Sequence, residues 1–161
     1  MNPTTKNEIK NMNAEKIRLL AKDLTKEFPR GPREMIAGYV LAARCLDKCR
    51  AELNNSQGEY HYDCPLDKRF LEFAGIDPQK LKDFVATGAT DSEVAEWITA
   101  NAKKRERVEI IQWNNQQRDA RLSELPPQLQ EFMEDYIQKN IPRNRPVYHW
   151  FDVFDLEEER I

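Results

Sequence analysis

A chain of 161 residues, 40% hydrophobic and 33% charged, carries enough apolar material for one ordinary core and too much for a disordered polymer. Its net charge of −3 argues against a general nucleic-acid binder, which needs a basic face. The longest apolar run, Met35 to Ala43, falls far short of the ~20 residues that cross a bilayer, and the polar start from Met1 to Lys10 has no leader character. A single cytoplasmic domain away from membranes is expected, with its three cysteines reduced.

Residues 1–22 read as a lead-in and 23–161 as the domain. In the lead-in, Asn13 is placed to cap a short helix from Ala14 to about Lys22. Asp23 to Phe28 is a connector, and Pro29-Arg30-Gly31-Pro32-Arg33 is a rigid loop. Pro32, needing no N–H donor at a first helical position, opens the longest predicted element, a helix to about Leu53. Ile36, Tyr39, Val40, Ala43, Leu46 and Leu53 give it an apolar stripe, and Gly38 inside it suggests a close approach by another element. Asn54 to Gly58 turns the chain.

A short helix follows from about Leu66 to Phe73, stopped by Gly75. Asp77-Pro78 is an N-cap with proline at N1, opening a helix to about Thr87. Thr90-Asp91-Ser92-Glu93 reads as a capping box for the next one. A long polar helix is expected from Lys103 to about Glu124, then a break at Pro126-Pro127 and a helix to Lys139. The stretch Tyr148 to Leu156 is too aromatic to remain in water and should dock on the core. No strand signal or repeat is present. The expected fold is all-α, a bundle of six to eight helices with an aromatic C-terminal segment docked on it.

The densest chemistry lies in Glu59-Tyr60-His61-Tyr62-Asp63-Cys64-Pro65-Leu66-Asp67. Short non-helical stretches of this kind are where a scaffold presents functional groups, although a turn whose tyrosines pack and whose acids cap the next helix would look the same. His61 beside Glu59 and Asp67 is ordinary equipment for proton transfer. Cys64 is a candidate ligand contact whose commoner fate is burial. The spacings form no HxxxH or HExxH, and no phosphate loop or nucleotide fingerprint is present, so no metal and no cofactor is expected. Arg30 and Arg33, with Lys26 nearby, flank the start of the 32–53 helix, where the macrodipole invites an anion. Either a ligand or an acid of this chain would serve: Glu34, Asp152, Asp155, Glu157, Glu158 or Glu159. The polar Lys103–Arg121 helix is either a solvated face or a contact for a partner or a second subunit.

Several of these segments carry a resemblance. Asp23-Leu24-Thr25, Pro29-Arg30-Gly31-Pro32-Arg33, Gly38-Tyr39, Asp47-Lys48-Cys49-Arg50-Ala51, Gly58 to Asp67 and Trp150-Phe151-Asp152 together resemble the bacterial domain-of-unknown-function family 5069, over roughly Asp23 to Glu158. The resemblance implies a small soluble bacterial domain and no assigned activity or catalytic residue. The chain departs from the pattern at Gly31, where serine is more familiar, which weakens any role for a hydroxyl there. Its longer N-terminal lead leaves residues 1–22 outside what the family implies.

The leading functional expectation is a pocket for a small anionic ligand, with or without catalysis, between the 32–53 helix and the 59–67 loop. In it Arg30 and Arg33, with Arg44, Lys48, Tyr60 and Cys64, would bind. His61 would transfer a proton, and Asp47, Glu59 and Asp67 would orient it. The alternative is a non-enzymatic interaction or scaffold module in which the same groups form a satisfied structural network.

Overall fold

The computed structural model describes residues 2–161 as eight α-helices and one 3₁₀ turn, with no strand among them. The first helix, α1 (Pro3–Leu20), is longer than expected. Asn2 caps it, accepting from the Thr4 N–H at 3.1 Å, and Pro3 fills N1, so the chain passes through Asn13 without a break. The helix lies largely in solvent with Ile17 as its buried residue.

The largest difference from expectation lies in residues 32–41, which are not helical. The main helix, α2, begins only at Ala42 and runs to Leu53. Ahead of it, Ile36 and Tyr39 exchange backbone hydrogen bonds at 3.3 and 3.0 Å around Ala37 (φ 54°) and Gly38 (φ 84°), the conformation of a type I′ turn. Tertiary partners take the amides a helix would have used. The Val40 N–H donates to Asn114 Oδ1 at 3.1 Å, and the Leu41 N–H donates to the Pro32 carbonyl at 2.8 Å. Tyr39, Val40 and Leu41 are buried, so the apolar run fills the core as a plug rather than as a stripe. Ala37 holds a left-handed conformation that disfavours a Cβ. Ala37→Gly is therefore expected to raise stability by about 0.5–1 kcal/mol, read as an upward Tm shift of ~2–4 °C per kcal/mol.

The following elements use short-range signals. α3 (Pro65–Ala74) starts at Cys64, whose Sγ accepts from the Asp67 N–H at 3.5 Å, and ends at Gly75 with φ 67°. α4 (Pro78–Val85) is capped by Asp77, and α5 (Asp91–Asn101) has the Thr90/Glu93 capping box. The expected 103–124 helix is shorter. α6 covers Arg107–Asp119, because Ala120 and Leu122 turn away to bond the chain near Trp150. The Trp150 N–H donates to the Ala120 carbonyl at 2.9 Å, and the Leu122 N–H to the Tyr148 carbonyl at 2.8 Å. After the 3₁₀ turn Leu122–Glu124 come α7 (Pro127–Asn140) and α8 (Trp150–Glu157).

One core joins these elements. Tyr39 meets Phe70, Phe73 and Trp113 edge-on, and Phe73 stacks on Trp113 with centroids 4.6 Å apart. The aromatic C-terminal segment is packed into it, with Trp150, Phe151 and Val153 at 2%, 1% and 0% exposure. Docking α8 in this way brings the acidic C-terminal residues against α2.

Candidate functional site

Helix α2 is buried from Ala42 to Ala51, including Arg44, Asp47, Lys48 and Arg50. A buried charge is costly unless paired, so each of these selects a partner from a distant segment. Arg44 meets Glu158 through two parallel bonds of 2.7 Å and stacks over the Tyr60 and Phe154 rings. Burial alone would raise the Glu158 carboxyl, but Arg44 more than offsets it, with Arg160 and the Tyr60 hydroxyl assisting, and holds it below its ordinary range. Tyr60 donates to Glu158 at 2.9 Å, and burial, reinforced by that carboxylate, pushes its phenol up.

One turn further, the Lys48 ammonium lies 2.9 Å from Asp67 Oδ1 and donates to Cys64 Sγ at 3.0 Å. Burial alone would lower Lys48, yet Asp67 and Cys64 outweigh it and keep the amine protonated above its ordinary range. Burial pushes the Asp67 carboxyl up, with Lys48 offsetting part of that. The other oxygen of Asp67 accepts from the Asp63 N–H at 2.9 Å, where the backbone is left-handed (φ 61°). Asp67 thus fixes both the loop and the lysine. Tyr62 ties the loop to α4 by donating to the Pro78 carbonyl at 2.8 Å.

Above these pairs opens a cleft of about 360 Å³, at the small end of ordinary ligand sites. Its polar edge holds Arg44, Lys48, Glu59, Tyr60, His61 and Cys64 from α2 and the loop. Its opposite wall is apolar, formed by Leu129, Phe132, Met133 and Tyr136 of α7 and by Trp150 and Phe154 of α8. Glu157 and Glu158 close the end.

A family model described as a domain of unknown function, DUF5069, matches residues 26–160. The chain belongs to the DUF5069 family. No curated protein matches it. The family match in this DUF5069 chain begins after α1 and takes in every residue of the cleft.

Within the DUF5069 domain the expected site residues separate into two groups. Arg44, Lys48, Glu59, Tyr60, His61 and Cys64 line the cleft together, with Asp67 directly beneath, 1% exposed and bonded to Lys48 rather than to His61. Arg30, Arg33 and Asp47 lie elsewhere. The expected helix start at Pro32 does not exist, so Arg30 and Arg33 do not flank a helix terminus. Arg30 donates to Asp47 through its backbone N–H at 2.8 Å and through its guanidinium, which also reaches Asp91 at 2.8 Å; Arg50 joins the same Asp91 at 2.7 Å. Arg33 pairs with Asp152 at 2.6 Å and with Asp155, both from the acidic run. Asp47 orients Arg30 and not His61. His149 sits 3.6 Å from Asp152 and does not line the cleft.

The apolar wall and Glu158 were missed as site residues. Leu129, Phe132, Met133 and Tyr136 follow a helical stripe that reads as core, and nothing local says that Phe132 stays 57% exposed at a cleft mouth. Among the described residues no group of three or more histidine, cysteine or acidic side chains could hold a metal ion, and no helix is long and apolar enough to cross a membrane.

Proposed function

We propose that the cleft binds a small organic molecule with an apolar body, its polar end turned toward Lys48, Cys64 and His61. The observation that carries this reading is the juxtaposition itself. A buried ammonium and a partly buried thiol share a space of ligand size with a lining of aromatic and aliphatic side chains. Charge balance favours a neutral ligand over the anion expected from sequence. Arg44 and Lys48 are matched by Glu158 and Asp67, and Glu59 and Glu157 add negative charge at the rim. Arg30 and Arg33, which would have held an anionic group, are committed to carboxylates outside the cleft.

A thermal-shift screen tests the reading, set with neutral aliphatic and aromatic alcohols, amides and carbonyl compounds beside carboxylates and phosphorylated metabolites. A ligand at 100 times its Kd adds about 2.7 kcal/mol, which at ~2–4 °C per kcal/mol is readily measured. Phe132→Glu should abolish the shift with little loss of fold, because Phe132 stacks only on Tyr136 and is largely exposed. A screen without hits, or hits that survive Phe132→Glu, would overturn it. Hits confined to anions would return the reading to an anionic ligand.

The alternative of an interaction module rests on α6, where Val108 and Ile111 are 57% and 41% exposed. Light scattering of the purified chain distinguishes it: a strict monomer counts against self-association through this face.

A further inference from the structure

Three cysteines occupy two very different settings. Cys45 and Cys49 are fully buried in α2; burial drives the Cys45 thiol well up and the Cys49 thiol to about 12, leaving both inert. Cys64 lies on the cleft at the start of α3 and is only partly buried. Two groups donate to its sulfur: the Lys48 ammonium at 3.0 Å and the Asp67 N–H at 3.5 Å. An ammonium carries three N–H donors. On Lys48 one of those goes to Cys64 Sγ, Asp67 Oδ1 lies 2.9 Å away as its ion-pair partner, and no further acceptor approaches it among the described residues. Lys48 is only 3% exposed and yet lines the cleft, so its remaining donor is a buried polar group available to a ligand.

We infer that Cys64 is a nucleophile that adds reversibly to the carbonyl of an apolar aldehyde held in the cleft, with Lys48 binding the carbonyl oxygen. This rests on the ligand-binding reading above and specifies the ligand's reactive end. The distances select direct carbonyl addition. In the adduct the oxygen stands two bonds from Sγ, and a donor already 3.0 Å from Sγ reaches that oxygen as well. The Sγ–carbon bond forms, the carbonyl π pair moves onto oxygen, and the thiol proton ends there as the hydroxyl of a hemithioacetal. Nothing leaves and nothing is oxidised. Lys48 stabilises the charge as it develops on oxygen, in a site partly closed to water. The alkyl chain then lies along Leu129, Phe132, Tyr136 and Phe154. Lys48 itself is the wrong nucleophile for an imine, because its pairing with Asp67 keeps it an ammonium.

The test titrates the whole protein with nonanal and with 1-nonanol, following tryptophan fluorescence, in the wild type and in Cys64→Ser. Serine preserves an N-cap for α3, so the variant should fold. Nonanal is expected to bind the wild type at least about tenfold tighter than 1-nonanol. Cys64→Ser should bring the two to parity. Nonanal should also protect Cys64 from iodoacetamide, while Cys45 and Cys49 stay unlabelled throughout. If nonanol binds but nonanal binds no tighter, or if its advantage survives Cys64→Ser, the nucleophile assignment is wrong and the cleft reading stands. A borohydride-trapped adduct on Lys48 would equally overturn it in favour of amine chemistry. Failure of both compounds to bind overturns both readings.

Discussion

Glu158→Ala is expected to cost about 3–5 kcal/mol, because it strands the Arg44 guanidinium in the core. The side chains of Arg44 and Glu158 are 3% and 2% exposed, and two 2.7 Å bonds join them. The same truncation removes the acceptor of Tyr60 and one partner of Arg160, which releases the α8 end of the cleft. Urea unfolding at neutral pH measures the loss as a lower midpoint at unchanged m. The effect is pH-dependent with a definite sign. Glu158 is held below its ordinary range in the folded state, chiefly by Arg44 acting against burial. Its contribution is therefore fully present above the unfolded carboxyl value of about 4.3 and fades as pH falls through the lower folded value. The gap between wild type and Glu158→Ala should narrow in acid. A gap below 1 kcal/mol at neutral pH would mean that water reaches Arg44 and that the pair behaves as a surface salt bridge.

The elements that were legible in the sequence are those fixed by residues close in the chain. Asp77-Pro78, the Thr90/Glu93 box and Gly75 each act through bonds spanning a few residues, and each marks a boundary within a residue or two. The stretch 32–41 failed because its competition was not local. Its apolar spacing fits a helix, but Asn114, more than 70 residues away, offers Val40 an acceptor, and Gly38 permits the turn that brings it there. The extent of α1 was missed through an ordinary cap signal, Asn2-Pro3, placed too close to the start to stand out.

The candidate site divides along the same line. The 59–67 segment declares itself by composition, and the structure brings its Glu59, Tyr60, His61 and Cys64 to the cleft beside Arg44 and Lys48. What faces them comes from α7 and α8, across a gap of more than 60 residues that periodicity cannot bridge. Arg33 finding Asp152 and Asp155 lies between these cases. The need for an acid was legible in the sequence, and the acidic tail was among its expected sources, but which acid answers it depends on how α8 docks.

Lys48 and Asp67 allow architecture to be separated from chemistry. Lys48→Met alone leaves a carboxyl buried at 1% exposure, and Asp67→Leu alone leaves a buried ammonium; each should cost about 3–5 kcal/mol. Asp67→Leu carries an added loss, since the Asp63 N–H and the left-handed loop lose their anchor. The double variant Lys48→Met/Asp67→Leu removes both charges at similar volume and is expected to recover most of either loss, as buried ion pairs commonly do when exchanged for apolar side chains. A double-mutant cycle from urea midpoints gives the coupling directly. If the pair serves only to hold the fold, the recovered double variant should keep every property of the cleft. If Lys48 serves the Cys64 thiol, it should regain stability yet lose the preference for nonanal over 1-nonanol. Recovery of stability with no change at Cys64 would instead make the pair a device for setting the loop.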